Sequence, residues 1–259
     1  MKKYWLCAPL LFFFLIILGI HLSSAESVNE ITISAAISLK NAFEEIGKVF
    51  EKEHPKAKVR FNFGASGDLA RQIEGGAPVD VFASAAQKDM DEIDQKGFIT
   101  SGTRMKFAEN TMVLVKSGMS RIRMESFEDL RKAEVKKIVI GNPKSVPAGR
   151  YAEEVLKYLK LWEVVKEKLV FAEHVRQALD YVARNEVDAA MVYSTDAMIR
   201  PKEVRIVTKA PDKSHQPIVY PIAIVKRSRN QSLAKQFTAL VLSNEGKTLL
   251  NKYGFETVK

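Results

Sequence analysis

Short β-branched runs alternate with amphipathic stretches along nearly all of this chain. Ile31, Thr32 and Ile33 open a strand-like run that ends at Ala36, and from Ser38 to about Glu53 the apolar residues Leu39, Ala42, Phe43, Ile46 and Phe50 fall at helical spacing. The same strand-then-helix unit recurs at residues 58–63, with a helix from Ser66, and at 79–83, with a helix near Gln87. Further strands are predicted at 112–115, 137–140, 189–193, 204–207 and 218–225, and further helices near 148–160, 174–185, 231–242 and 245–252. Strands alternating with helices predict an α/β fold of mostly parallel sheets covered by helices on both faces. No Pro/Gly/Ser-rich tether interrupts the middle, so two lobes would be joined by strands or short crossovers, as at a hinge.

The N-terminus departs from this pattern. Lys2 and Lys3 precede an almost wholly apolar run over 6–20, and Ser23, Ser24 and Ala25 offer small residues before Glu26. Residues 1–25 therefore read as a secretory signal, and the mature protein is expected outside the cytoplasmic membrane. Retention of the leader as an anchor is the alternative; Pro9 and Gly19 argue for cleavage. The chain's only cysteine, Cys7, lies too early in the leader to accept a lipid. It also leaves no disulfide framework and no cysteine-based zinc site.

With 259 residues, 46% of them hydrophobic and 27% charged, the chain is long enough to bury a full core. Lys plus Arg number 40 against 31 Asp plus Glu, a formal charge of +9, two of which belong to Lys2 and Lys3. The basic residues are interspersed with acidic ones, as in Glu51-Lys52-Glu53, rather than gathered in a stripe with aromatics, which argues against a nucleic-acid partner.

In open α/β sheets ligands bind where strands end and helices begin, because the first N–H groups of each helix point outward there. The residues at those junctions are Ser38, Ser66, Ala148, Val175 and Tyr193. None is charged; together they offer hydroxyls and backbone donors. Each also has a plainer reading: Ser38 and Ser66, or Asp68, as helix caps, and Tyr193 as a half-buried tyrosine with its hydroxyl in water.

Four stretches in fixed order sharpen the picture: Ala35-Ala36-Ile37-Ser38-Leu39-Lys40-Asn41-Ala42, then residues 64–85 beginning Gly64-Ala65-Ser66-Gly67-Asp68, then Val146-Pro147-Ala148-Gly149-Arg150-Tyr151-Ala152, then Met191-Val192-Tyr193-Ser194-Thr195-Asp196-Ala197. Together they closely resemble the periplasmic molybdate-binding proteins of ABC transporters, over essentially the whole mature chain. The resemblance implies a two-lobed periplasmic-binding-protein fold with a hinge of two crossovers. Lobe 1 is expected over 26–108 plus 222–259, and lobe 2 over 109–221. It implies that Ser38, Ser66, Ala148, Val175 and Tyr193 hold a molybdate or tungstate oxyanion through its oxygens alone, with no direct coordination of the metal and no cofactor. It further implies a monomer that delivers its ligand to a membrane-embedded ABC permease. Two positions depart from the family: Ala65 stands where many relatives have another Ser, and Arg150 where smaller or apolar residues are common.

Other classes of protein share parts of this pattern. Another tetrahedral oxyanion such as sulfate could be the ligand. A secreted serine hydrolase would use Ser38 or Ser66 with His54, His174 or His215, but Ser66 lacks the Gly two positions later that a nucleophile elbow needs. His174 is the histidine nearest the junctions, with a helix start as its plain role. A sensor domain is a third class, disfavoured by the lack of an output domain.

Overall fold

The structure is a computed structural model and describes residues 29–257; the expected signal peptide lies outside the described residues. In chain order the elements are β1 (Asn29–Ala36), α1 (Lys40–Glu53), β2 (Ala57–Gly64), α2 (Ser66–Glu74), β3 (Val81–Ala83), α3 (Gln87–Gln95), β4 (Met105–Glu109) and β5 (Met112–Ser117). They continue with β6 (Ile138–Gly141), α4 (Pro147–Tyr158), α5 (Trp162–Val165), β7 (Leu169–Ala172), α6 (Val175–Ala183), β8 (Ala189–Tyr193), α7 (Ser194–Met198) and β9 (Val204–Lys209). The chain closes with β10 (Val219–Ile224), α8 (Gln231–Leu242), α9 (Asn244–Lys252) and β11 (Glu256–Thr257).

Two sheets result, a six-stranded one in the order β11-β4-β10-β3-β1-β2 and a five-stranded one in the order β7-β6-β8-β5-β9. In the first, alternate side chains go to opposite faces, as the strand period requires. Val81 and Ala83 join the core that also holds Phe43, Phe50 and Phe237, whereas Phe82 between them packs with Leu69, Ile73, Met90 and Ile93 of α2 and α3. Phe43 of α1 meets the rings of Phe107 and Phe237 at 5.8 and 6.0 Å, tying α1 and α8 to one face. In the second sheet Ile138, Val139 and Ile140 of β6 are all fully buried, because helices cover both faces of that interior strand.

The strand-helix units pair as the hydrophobic pattern predicts: β1 lies parallel to β2 and β3, and β6 parallel to β7 and β8. The remaining pairs correct the expectation of mostly parallel sheets, since β10 runs antiparallel to β3 and β4, β11 to β4, and β5 to β8 and β9. The physical reason is connectivity. β4 and β5 are joined by Asn110 and Thr111 alone and carry the chain straight from one sheet to the other, so no helical crossover sets their direction. The chain returns over 210–218, and β10 joins the first sheet from Val219, ahead of the second boundary expected at 221–222. No helix among the described residues is long and apolar enough to cross a membrane.

Candidate functional site

Five strand-to-helix junctions, from both sheets, converge on one cavity. Its lining includes Ser38, Ser66, Ala148, Val175 and Tyr193, together with Ile37, Ala65, Ala85, Val146, Pro147 and His174. All five residues picked out at the junctions are thus brought together, and among the described residues no Asp, Glu, Lys or Arg lines the cavity.

Each junction has a local cause. β1 passes through a single turn of 3-10 helix, Ile37–Leu39, before α1, which places Ser38 at the helix entrance. Ala65 in extended conformation ends β2 and lets α2 start at Ser66. Pro147 occupies the first position of α4, where its missing N–H is no loss, and Ala148 follows. Gly149 is required there, because a Cβ would overlap the Gly141 carbonyl at the end of β6. His174 caps α6, its Nδ1 accepting the Gln177 N–H at 3.0 Å, so Val175 is the first helical residue. By position, the N–H groups of Ser66, Ala148 and Val175 have no acceptor within their own helices. The positive ends of three helix dipoles therefore face one small space.

The hydroxyls are oriented by their protein partners. Ser66 is not a cap: its Oγ accepts the Ala85 N–H at 3.0 Å, which leaves its own proton to donate elsewhere. Ser38 is not a cap either, and its Oγ lies 3.0 Å from the Tyr220 hydroxyl. The direction of that bond follows from Asn110, between β4 and β5. Its Oδ1 accepts from Thr111 N–H and Ser194 Oγ, so its Nδ2 donates, to Thr195 and to the Tyr220 hydroxyl at 3.2 Å. Tyr220, already accepting, donates to Ser38, and the Ser38 proton is in turn available to the cavity.

Tyr193 corrects the picture of a half-wet tyrosine. It is 1% exposed, and its hydroxyl has no hydrogen-bond partner among the described residues. Burial pushes the ionisation of both Tyr193 and Tyr220 above the usual tyrosine range, so both remain donors. Asp68 neither caps α2 nor enters the cavity; it pairs with Arg71 on the surface. Neither serine is paired with a histidine among the described residues: His54 packs at a tilt against Phe50, and His215 meets Tyr151 edge to face. No group of three or more His, Cys, Asp or Glu placed to hold a metal ion occurs among the described residues.

Contacts between the lobes close over this cavity. The Gly67 N–H donates to the Ser145 carbonyl at 3.0 Å. Arg176, anchored in its own lobe on the buried Asp196, donates across to the Ser38 carbonyl at 3.1 Å and to Asn41 at 2.9 Å.

Two α/β lobes joined by two crossings, with a donor-lined cavity between them at the carboxyl ends of their strands, define a two-lobed solute-binding protein. Residues 31–256 match the family model described as bacterial extracellular solute-binding protein, and the chain belongs to that family. A protein of Bacillus subtilis (strain 168) named as an ABC transporter substrate-binding lipoprotein, YvgL, is 41% identical over 98% of this chain and 98% of its own length. The molybdate-binding protein ModA of Haemophilus influenzae is 37% identical over 93% of this chain and 95% of its own. Among solved structures, the periplasmic molybdate-binding protein of Azotobacter vinelandii superposes with a TM-score of 0.78 at 25% identity, covering 88% of this chain and 100% of that one.

Proposed function

We propose that this protein captures molybdate, and tungstate with it, outside the cytoplasmic membrane and delivers it to the permease of an ABC transporter. Ser38, Ser66 and Tyr193 donate their hydroxyl protons, and Ala148 and Val175 their backbone N–H groups, to the oxyanion oxygens; no protein atom coordinates the metal. The observation that carries this reading is the Tyr193 hydroxyl, fully buried at the cavity and without a partner among the described residues. Burying an unsatisfied hydroxyl costs about 1–3 kcal/mol, a penalty that a ligand oxygen removes.

A donor-only cavity suits a fully deprotonated dianion. Hydrogen phosphate would turn its own proton toward a donor, a mismatch of about 1–3 kcal/mol. Oriented dipoles also spread compensation over many bonds without a fixed cation, which favours release as well as capture. Names borne by relatives at 37% identity support the same ligand. The leader over residues 1–25 acts as the export signal, and the mature chain works as a monomer, since both lobes of one chain supply the donors.

Calorimetric titration of the mature protein with molybdate, tungstate, sulfate and phosphate in parallel tests the proposal. Comparable affinity for the first two, at least about tenfold tighter than sulfate, is expected. Equal competition by sulfate would overturn the assignment of the ligand.

A further inference from the structure

The side chain of Arg150, on α4 just past the cavity-lining Ala148, crosses between the lobes. Its Nη2 donates to Asp89 Oδ2 at 2.5 Å, joining α4 of the second lobe to the first turn of α3 in the first. The pair is well shielded, with side-chain exposures of 15% for Arg150 and 3% for Asp89. It lies beside the site, since Arg150 follows Ala148 and Gly149 and precedes the buried Tyr151.

This contact differs from the other bridges between the lobes. Gly67 and Ser145 meet through neutral backbone groups, and Arg176 keeps Asp196 as a partner within its own lobe. Arg150 and Asp89 each have the other as their hydrogen-bonding partner among the described side chains. Burial raises the ionisation of the Asp89 carboxyl, and the Arg150 charge opposes that shift. Closing the cleft takes both charges out of water and opening returns them, so the shielded arrangement is stable only while the pair is intact.

We propose that Arg150 and Asp89 form an interlobe latch that sets how long the closed cleft retains its ligand, an inference that rests on the reading of the cleft as the molybdate site. Neutralised by Asp89, Arg150 adds no net charge next to the oxyanion, so the latch acts on residence time and leaves the cavity's neutral-donor chemistry unchanged.

The test uses Arg150→Met, Asp89→Leu and the double variant, each checked by thermal unfolding. Molybdate release is followed by stopped-flow intrinsic fluorescence. Arg150→Met leaves a shielded carboxylate without a partner, so release is expected to accelerate at least about tenfold with a smaller change in association rate. The double variant, an apolar pair of similar size, is expected to recover most of the wild-type rate. Release from the double variant as fast as from Arg150→Met would overturn the latch, and so would single variants that release at the wild-type rate. A ligand-independent arm separates this from failure of the molybdate reading. Nitroxide labels at Lys144→Cys and Lys235→Cys, exposed positions in opposite lobes of a mature chain without cysteine, report lobe separation by pulsed electron paramagnetic resonance in ligand-free protein. The closed distance is expected to lose population in Arg150→Met and regain it in the double variant. Identical distance distributions in all three would contradict the latch whatever the cleft binds.

Discussion

Replacing Tyr193 by Phe removes one oxygen from the cavity wall and nothing from the protein's internal hydrogen bonding. The ring is buried to 1% exposure and its hydroxyl bonds to no group among the described residues, so ligand-free stability is expected to hold or rise. Relief of part of the ~1–3 kcal/mol cost of an unsatisfied buried hydroxyl would raise Tm by a few degrees, at roughly 2–4 °C per kcal/mol for a chain of this size. Binding responds the other way. A hydrogen bond to a charged ligand contributes about 1.5–3 kcal/mol, so molybdate affinity is expected to fall roughly tenfold to 150-fold. Calorimetric titration with molybdate and differential scanning calorimetry of the ligand-free protein read the two effects separately. Loss of affinity with undiminished Tm marks a residue whose hydroxyl serves the ligand. Affinity within twofold of wild type would show that the Tyr193 hydroxyl does not bond the ligand, and a fall in ligand-free Tm would show that the hydroxyl has a structural role.

Ser66→Ala is expected to weaken binding by a similar factor but also to lower Tm, because the Ala85 N–H loses its acceptor at a cost of about 1–3 kcal/mol; titration paired with thermal melts checks both. Gly67→Ala is expected to leave each lobe folded yet impede closure, since the new Cβ would sit 2.7 Å from the Ser145 carbonyl of the other lobe; small-angle scattering with molybdate present would then show a more open molecule than wild type. Burial raises the ionisation of Tyr193 and Tyr220, so their donor forms persist above the ordinary tyrosine value of about 10, and ligand affinity is lost only as pH climbs through the raised values. Molybdate titrations from pH 8 to 10 are therefore expected to show no tyrosine-linked fall, whereas a decline centred near pH 10 would place a solvated tyrosine in the site.

The five junction residues could be read from the chain because each stands where a β-branched run gives way to a helical pattern, a boundary written in neighbouring residues. Their orientation could not. Ser38 is aimed by Tyr220, 182 positions away, and Tyr220 by Asn110, 110 positions away. Tyr220 lay inside a predicted strand and looked like any core aromatic, while Asn110 follows β4, whose exposed Met105 and Lys106 blur the alternation that marks a strand. The serines were open to reading as caps for the same reason, since the partners that decide against capping belong to distant segments. Sheet direction shows the same division. The parallel β1, β2 and β3 follow from local strand-helix alternation, but the antiparallel pairs of β10 and β5 depend on where the chain crosses between sheets. The buried Asp196, holding Arg176 at the contact between the lobes, carried no local mark beyond its place in the Tyr193 motif.

The most direct test of the proposed site is anomalous diffraction at the molybdenum edge from crystals of the mature protein grown with molybdate. The proposed site calls for one strong peak in the cavity between Ser38, Ser66, Ala148, Val175 and Tyr193, with tetrahedral oxygens at hydrogen-bonding distance from the three hydroxyls and two backbone amides. A peak held instead by surface lysines or arginines, or a molybdenum atom ligated directly by a protein atom, would contradict it.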